Sequence, residues 1–184
     1  MTALIDRAHS MDTAAHEGQT DKAGAPYIDH PRRVSIRVCR YAPDELTEAA
    51  QAVAWLHDVV EDTPITLQEL TEHFPPTIVA AVDALTHRAH ETRENYYQRV
   101  ATNTLARAVK QADIDDNTDP QRLQLLDEHT RHRLETKYAQ ARAALAVGLS
   151  DKRCVGPGPT PRGKSGNPRV STAVHAHRVL VYRR

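Results

Sequence analysis

The clearest candidates for chemistry in this sequence lie in the segment WLHDVVEDT, residues 55–63. His57 and Asp58 end an apolar stretch, and burying two such groups costs several kcal/mol unless they are paired or bind a metal. On a helix, Glu61 and Asp62 lie one turn beyond them on the same face, because residues four apart are neighbours. Three carboxylates this close repel one another unless a cation neutralises them. The segment therefore indicates a divalent metal site.

One helix cannot complete a coordination sphere, so other ligands must come from elsewhere in the chain. His30 stands in the segment DHP, where a helix is predicted to begin, and Asp113 lies near the end of a helix with an apolar face. With His57 and Asp58 they give mixed imidazole and carboxylate ligation, which suits Mn, Fe, Co or Zn better than Ca or Mg. Such an ion lowers the pKa of water towards neutrality when it has open positions. We therefore expect a divalent transition metal.

The sequence segments around these residues resemble those of one family. The spread H…HD…D is similar to that of the HD superfamily of metal phosphohydrolases. The surrounding sequence segments are similar to those of the hydrolase domain of the RelA/SpoT family. The similarity is strongest to its stand-alone small alarmone hydrolases, of the metazoan SpoT homolog type. The resemblance covers residues 8–118, and HDxxED is more specific than HD alone. The words are AHEGQTDKAGAPYIDHP at 15–31, HDVVEDT at 57–63, VDALTHR at 82–88 and VKQADIDDN at 109–117.

This resemblance implies a reaction and a role for each matching residue. The reaction is hydrolysis of the 3′-diphosphate of (p)ppGpp to GDP or GTP and pyrophosphate, with Mn²⁺ or another divalent transition metal as cofactor. The acid pair would orient the attacking water, accept its proton and help to protonate the leaving ribose oxygen. The residues implied are the metal ligands His30, His57, Asp58 and Asp113, the catalytic acid pair Glu61 and Asp62, and the substrate contacts Lys22 and Asn117.

The sequence departs from the family pattern at two points. The residue before Lys22, usually Arg, is Asp21 here, and an acid repels a polyphosphate. Either the loop turns Asp21 away or the substrate differs. The usual LAD-xx-HN pattern reads QADIDDN, which adds carboxylates at Asp115 and Asp116 that could attract a second cation. Neither departure removes a metal ligand.

The elements that must position these residues are predicted to be helices. Apolar residues recur at helical spacing nearly throughout, and no segment alternates like a strand. Aromatic residues make up only 4% of the chain, so the core must consist of Ala, Leu, Val and Ile, which suits packed helices. We expect an all-α fold, which the resemblance specifies as an HD-domain helical bundle with a metal site in its centre. Helices are predicted from about Leu4 to Gly18, Pro31–Tyr41, Glu45–Val60, Thr66–His73, Pro76–Leu85, Arg93–Thr102, Leu105–Asp115 and Arg131–Val147.

Composition predicts one domain over residues 1–148, which the resemblance identifies as an HD phosphohydrolase domain, and a basic, Gly/Pro-rich tail over 149–184. Residues 156–168 hold four of the seven glycines and four of the eleven prolines, so we expect a disordered tail outside the site. Residues 151–184 carry 8 Lys/Arg and one acid, which leaves 16 Lys/Arg and 23 Asp/Glu in residues 1–150. This acidic body argues against binding a nucleic-acid polymer.

The resemblance implies a small nucleotide substrate as the partner, and no membrane is expected. No apolar run reaches the length of a membrane span, no signal peptide is evident, and two cysteines without a CxxC give no disulfide framework. We expect a cytoplasmic protein. No sequence of the family's synthetase type follows residue 150, so we expect a hydrolase alone.

Two other functions fit the same residues. One is an HD hydrolase acting on another nucleotide or phosphate ester. The other is a regulatory or interaction module that retains a metal with little turnover. Glu61 and Asp62 speak against the module, because pure binding does not need an acid pair. His9 and His16, which recur on the first helix, are expected to be solvated or hydrogen-bonded rather than metal ligands.

Overall fold

Helices dominate the part of the chain that the computed structural model describes, residues 2–21 and 24–150. Within these ranges no strand forms, and Thr20 and Pro26 make one isolated bridge. The prediction of an all-α fold is confirmed. The helices are α1 (Ala3–Ala15), α2 (Asp29–Arg37), α3 (Thr47–Leu56), α4 (Val59–Asp62), α5 (Leu67–His73), α6 (Pro76–Leu85), α7 (Arg93–Thr102), α8 (Thr104–Asn117), α9 (Pro120–Leu123) and α10 (Glu128–Ser150), with 3₁₀ helices at Val38–Arg40 and Asp44–Leu46.

Local sequence signals explain where several helices begin. Thr66 and Glu69 form a capping box at α5, in which each side chain accepts the backbone N–H of the other residue. The Asn103 side chain accepts the N–H of Ala106 at the start of α8. Pro76 occupies the first turn of α6, where its missing N–H costs nothing. These caps satisfy donors that the helix itself leaves unpaired.

Helix α3 lies at the centre of the bundle. It packs against α1, α2, α6 and α8, while α8 also contacts α2, α7 and α10. Ala50, Val53 and Ala54 of α3 are fully buried, as are Val109 and Ala112 of α8. These small side chains let the helices approach closely. Helices α2, α3 and α8 therefore meet in one region, where the carboxyl ends of α3 and α8 come together with the start of α2.

The predicted third helix, Glu45–Val60, is wrong as a single element. The chain leaves α3 after Leu56, passes through a turn at His57 and Asp58, and re-enters a helix in α4. The Ala54 carbonyl, which a continuing helix would offer to a backbone N–H, accepts the Nδ1–H of His57 over 2.8 Å. The predicted stacking of the acid pair on one unbroken helix is thus replaced by a tight turn.

The other predicted helices are present, with shifted ends. Helices α6 and α7 match their predicted ranges, α2 begins two residues earlier than Pro31, and α10 is longer at both ends. The four-residue helix α9 had no predicted counterpart, because its apolar content is too small to show a period. The predicted tail lies, after Ser150, outside the described residues. None of the described helices is long and apolar enough to cross a bilayer.

Candidate metal centre

His30 enters the centre of the bundle from the first turn of α2. It is 6% exposed, and its Nδ1–H donates to Oδ2 of Asp116 on α8 over 2.8 Å. A carboxylate oxygen can only accept here, so the proton lies on Nδ1 and the Nε2 lone pair faces the site. That Nε2 is 3.3 Å from Oδ1 of Asp113 and 3.7 Å from Oδ2 of Asp58.

His57 faces the same region from the turn after α3. Because Nδ1 donates to the Ala54 carbonyl, Nε2 carries the lone pair in the neutral ring and the second proton in the charged ring. Nε2 is buried, lies 3.0 Å from Oδ2 of Asp58 and 4.0 Å from Oδ1 of Asp113, and has no hydrogen-bond partner among the described residues. A buried, unpartnered nitrogen beside two carboxylates has the surroundings of a metal ligand.

These separations fit one shared cation. Ligand atoms about 2.1 Å from a common ion are roughly 3.0–3.4 Å apart as neighbours and about 4.2 Å apart across the ion. The four distances above, 3.0–4.0 Å, fall in this range. One potential ligand atom each from His30, His57 and Asp113 also lie within 4.8 Å of one another. The structure thus brings together the four residues named as ligands from the sequence.

The charges of the cluster favour a cation. Burial alone would lower the pKa of His57, but the carboxylates of Asp58 and Asp113 raise it to about 10. Burial would raise the pKa of Asp58, but the imidazoles of His57 and His30 hold it below its ordinary value. The carboxylates therefore attract positive charge strongly enough to keep a proton on a buried imidazole. A divalent ion would take the place of that proton.

Asp113 is held by two neighbours on its own helix. Lys110, one turn earlier on α8, places its ammonium 2.8 Å from Oδ2 of Asp113. Asn117, one turn later, donates its amide to Oδ1 and, over 3.1 Å, to the Asp113 carbonyl. Burial would raise the pKa of Asp113, but Lys110 and His30 hold it well below its ordinary value. The structure therefore places Asn117 beside the histidine and carboxylate cluster, where it orients the Asp113 side chain.

The acid pair lies beside the cluster, on α4. Partial desolvation and the Asp58 carboxylate raise the pKa of Glu61 to about 7 and raise the pKa of Asp62, although both side chains keep contact with solvent. The Tyr27 hydroxyl donates to Oδ2 of Asp58 over 2.5 Å, and its oxygen also lies 3.4 Å from Oδ2 of Asp62. Tyr27 thus joins a proposed ligand to a member of the acid pair. A carboxyl group whose pKa lies near neutrality is suited to proton transfer at that pH.

Asp116 and Asp115 do not form a second cation site. Asp116 is fully buried and, besides His30, binds Arg33 over 2.8 Å and also Arg122. Asp115 accepts from Tyr41 and, over 2.9 Å, from Arg142. The expectation that these carboxylates could attract another metal is therefore wrong, because arginines already neutralise them.

The departure at Asp21 also has a structural explanation. Oδ2 of Asp21 lies 3.1 Å from an Arg122 nitrogen, and its Oδ1 accepts the N–H of Ala25 within the turn that Gly24 makes at φ 81°. The acid is therefore paired with a cation. Lys22, predicted to contact substrate, lies outside the described residues.

His16 is buried and hydrogen-bonded. Of the two environments expected for it, solvated or hydrogen-bonded, the structure shows the second. Its Nδ1 lies 3.0 Å from Oε1 of Gln19, and its Nε2 lies 3.2 Å from Oδ1 of the buried Asp12. Its ring packs against that of Tyr27 in a tilted arrangement, with 4.5 Å between centroids. Gln19 in turn donates to the Asp62 carbonyl over 3.3 Å. Through Gln19 and Tyr27, His16 is thus linked to Asp62 of the acid pair.

Sequence reasoning missed Tyr27, Lys110 and Asp12. Tyr27 and Lys110 both occur within words already singled out, APYIDHP and VKQADIDDN, three residues from His30 and Asp113 respectively. For Lys110 that spacing on a helix was a usable signal, because residues three apart share a face. For Asp12 the only signal in the sequence was an acidic residue on the predicted apolar face of a helix.

Comparison with known proteins places this geometry in context. The family model described as HD domain matches residues 8–145. The bifunctional (p)ppGpp synthase/hydrolase SpoT of Escherichia coli K12 is 38% identical over 81 residues, which are 44% of this chain and 11% of that protein. The guanosine-3′,5′-bis(diphosphate) 3′-pyrophosphohydrolase of Haemophilus influenzae is 44% identical over 71 residues, 39% of this chain and 10% of that protein. The chain thus spans about a tenth of the length of these relatives.

A solved structure shares the fold. It is described as a metazoan ortholog of SpoT that hydrolyzes ppGpp and plays a role in starvation responses. The alignment has a TM-score of 0.65 and 21% identity, and it covers 84% of this chain and 97% of the other. The predicted helical bundle and the resemblance on which it rested are confirmed.

Proposed function

Because the chain belongs to the HD domain family, we propose that it is a metal-dependent phosphohydrolase that releases pyrophosphate from the 3′-diphosphate of (p)ppGpp. The observation that carries the proposal is the convergence of His30, His57, Asp58 and Asp113, with distances of 3.0–4.0 Å between imidazoles and carboxylates. Relatives named for this hydrolysis match part of the chain, which supports the choice of substrate.

We propose these four side chains as the metal ligands and Mn²⁺ as the ion. Two imidazoles with two carboxylates suit Mn²⁺, Fe²⁺, Co²⁺ or Zn²⁺ better than Mg²⁺. When bound, a divalent ion supplies a lowered pKa for water and stabilises charge on a phosphoryl oxygen. The protein fixes both histidine tautomers through Ala54 and Asp116, so that each Nε2 is ready to bind.

The acid pair is proposed to move the protons. Glu61, with its pKa raised to about 7, accepts the proton of the attacking water. Asp62, whose pKa is also raised, donates a proton to the leaving ribose oxygen. The Tyr27 hydroxyl donates to Asp58 and contacts Asp62, and so fixes the position of one carboxylate relative to the other. Burial raises the pKa of Tyr27, so the hydroxyl keeps its proton and remains a donor.

Substrate recognition is proposed to involve Lys22 and Asn117. Asn117 lies beside Asp113, where its side chain borders the reacting groups. The pairing of Asp21 with Arg122 lowers the repulsion that an unpaired acid would exert on a phosphate. We place the domain boundary near residue 148, close to residue 145 where the family match ends, and the tail of 149–184 outside the site.

The test is incubation of the purified protein and Mn²⁺ with ppGpp, with products separated by ion-exchange chromatography. The proposal expects GDP and pyrophosphate, and no product after Asp58→Asn. Orthophosphate from simple nucleotides or phosphate esters, without pyrophosphate from ppGpp, would show another HD phosphohydrolase. Tight Mn²⁺ binding without turnover on any of these substrates would show a metal-retaining regulatory module.

A further inference from the structure

Lys110 is a cation built into the metal cluster. It stands on α8 one turn before Asp113, with its ammonium 2.8 Å from Oδ2 of that residue and its side chain only 17% exposed. On its other side lies the Tyr96 ring, with 5.7 Å between Nζ and the centroid. The Tyr96 hydroxyl donates to the Leu85 carbonyl over 3.0 Å, which orients the ring beside the lysine. A cation next to an aromatic ring is favourable.

The two oxygens of Asp113 have different surroundings. Oδ1 faces the Nε2 atoms of His30, at 3.3 Å, and of His57, at 4.0 Å. Oδ2 binds Lys110 over 2.8 Å. An ammonium offers donors and no acceptor, and its positive charge repels a second cation. A metal ion is therefore kept away from the oxygen that Lys110 binds. The Asn117 amide takes one lone pair of Oδ1 and leaves the other for a metal.

We propose that Lys110 is a positioning residue that makes Asp113 a one-oxygen metal ligand and so preserves an open coordination position. The inference rests on the proposed metal site and deepens it. A carboxylate that binds through both oxygens takes two positions of the ion. With six positions and four protein ligands, two remain for water and substrate, and a two-oxygen Asp113 would leave one.

The chain offers a matched pair of variants. Lys110→Met keeps the length of the stem and removes the charge and the donors, which frees Oδ2. Lys110→Arg keeps a cation that can bind Oδ2. Each protein is loaded with Mn²⁺, and the number of exchanging waters on the bound ion is measured from water-proton relaxation. This measurement needs no substrate and no turnover.

We expect the relaxation enhancement per bound Mn²⁺ to fall by roughly half in Lys110→Met, because one of two waters is lost, and to stay near the wild-type value in Lys110→Arg. Because Oδ2 then also binds the ion, Mn²⁺ affinity should not decrease in Lys110→Met, whereas kcat should fall more than KM rises. Lys110→Ala carries the same expectation and serves if the methionine variant does not fold, as judged by circular dichroism.

The outcomes separate this inference from the proposed function. Equal hydration of Mn²⁺ in wild type and in the methionine or alanine variant would overturn the role of Lys110 alone. The expected hydration difference without hydrolysis of ppGpp by the wild type would overturn the proposed substrate alone. Failure of the wild type to bind Mn²⁺ would overturn both.

Discussion

The Nδ1–H of His30 donates to Oδ2 of Asp116 over 2.8 Å, although 86 positions separate the two residues in the chain. The bond ties the start of α2 to the end of α8 and fixes the tautomer of a proposed metal ligand. Arg33 and Arg122 bind the same buried carboxylate, so its charge is neutralised from outside the site. In the proposed site, Asp116 thus supports the ligand His30 without itself facing the metal.

Asp116→Asn should lower Mn²⁺ affinity by roughly 10- to 100-fold, the usual cost of losing a carboxylate behind a histidine ligand. The amide oxygen can still accept from His30, but the negative charge that makes the imidazole a stronger ligand is gone. Isothermal titration with Mn²⁺ measures the change. Asp115→Asn is the matched control, because Asp115 contacts Tyr41 and Arg142 rather than His30, and an equal loss there would contradict this role.

The same carboxylate should make stability depend on pH. Burial would raise the pKa of Asp116, but His30 and Arg33 lower it to about 2 in the folded protein. A lowered pKa stabilises the fold above the unfolded value near 4, and this stabilisation disappears as pH falls through about 2. The wild type should therefore exceed Asp116→Asn by about 2 kcal/mol at neutral pH, with the gap closing between pH 4 and 2.

Urea unfolding of both proteins at several pH values, with a chelator present, checks this prediction. The chelator removes any contribution from bound metal. A stability gap that stays constant from pH 7 down to pH 2 would show that the charge of Asp116 is not what stabilises the fold.

Asp58→Asn should reduce bound metal and abolish turnover. Asp58 lies 3.0 Å from the Nε2 of His57 and 3.7 Å from that of His30, so its charge is central to the cluster. An amide at this position neither attracts a divalent ion strongly nor replaces a carboxylate ligand. Metal content by atomic emission and pyrophosphate release measure the two effects, and full metal content would contradict the ligand assignment.

Glu61→Gln should leave metal content nearly unchanged and cut kcat by roughly 10²- to 10⁴-fold, the usual value of general acid–base assistance. The side chain lies beside the cluster without being one of its four proposed ligands. Atomic emission and steady-state kinetics on the same preparation separate the two quantities. Loss of metal in this variant would mean that Glu61 is a ligand.

The pH profile of kcat should rise with pH through the pKa of Glu61. Burial and the Asp58 carboxylate raise that pKa to about 7, and a group that accepts a proton works only when ionised. A cation in the cluster favours the ionised form, so we expect the inflection at or below pH 7. The rising limb should be absent from the residual activity of Glu61→Gln, and its persistence there would assign it to another group.

Removal of residues 152–184 should leave activity intact. The proposed ligands and acid pair lie between His30 and Asp113, and the family match ends at residue 145. Hydrolysis rates of the full chain and of the chain ending at Asp151 provide the comparison. A large decrease would show that the basic segment takes part in the fold or in substrate binding.

His57, Asp58 and Asp113 could be singled out from the sequence because they break an apolar pattern, whereas His30 depended on the segment PYIDHP, which resembles the family. His57 and Asp58 follow a stretch that is fully buried, and Asp113 stands on the buried face of α8. Polar groups buried at such positions need a partner. Several of them from separate parts of the chain suggest one shared partner, such as a metal ion. The segments around these residues added the family, while the helical spacing of apolar residues independently predicted the all-α fold.

The partners of those residues could not be predicted in the same way. The contact between Arg122 and Asp21 spans 101 positions, and that between Tyr27 and Asp58 spans 31, so both depend on how helices pack. The break after α3 was missed because apolar spacing continues through it. What ends the helix is a side-chain bond from His57 to Ala54, which periodicity does not register.

The turn at His57 and Asp58 makes the length of this segment critical. One residue inserted before Glu61 would rotate the acid pair by about 100° around the axis of α4 while leaving both ligands in place. The result would be a protein that loads metal normally and cannot use it. Insertions and deletions among homologues should therefore avoid residues 57–62 and collect in connections such as 124–127, between α9 and α10.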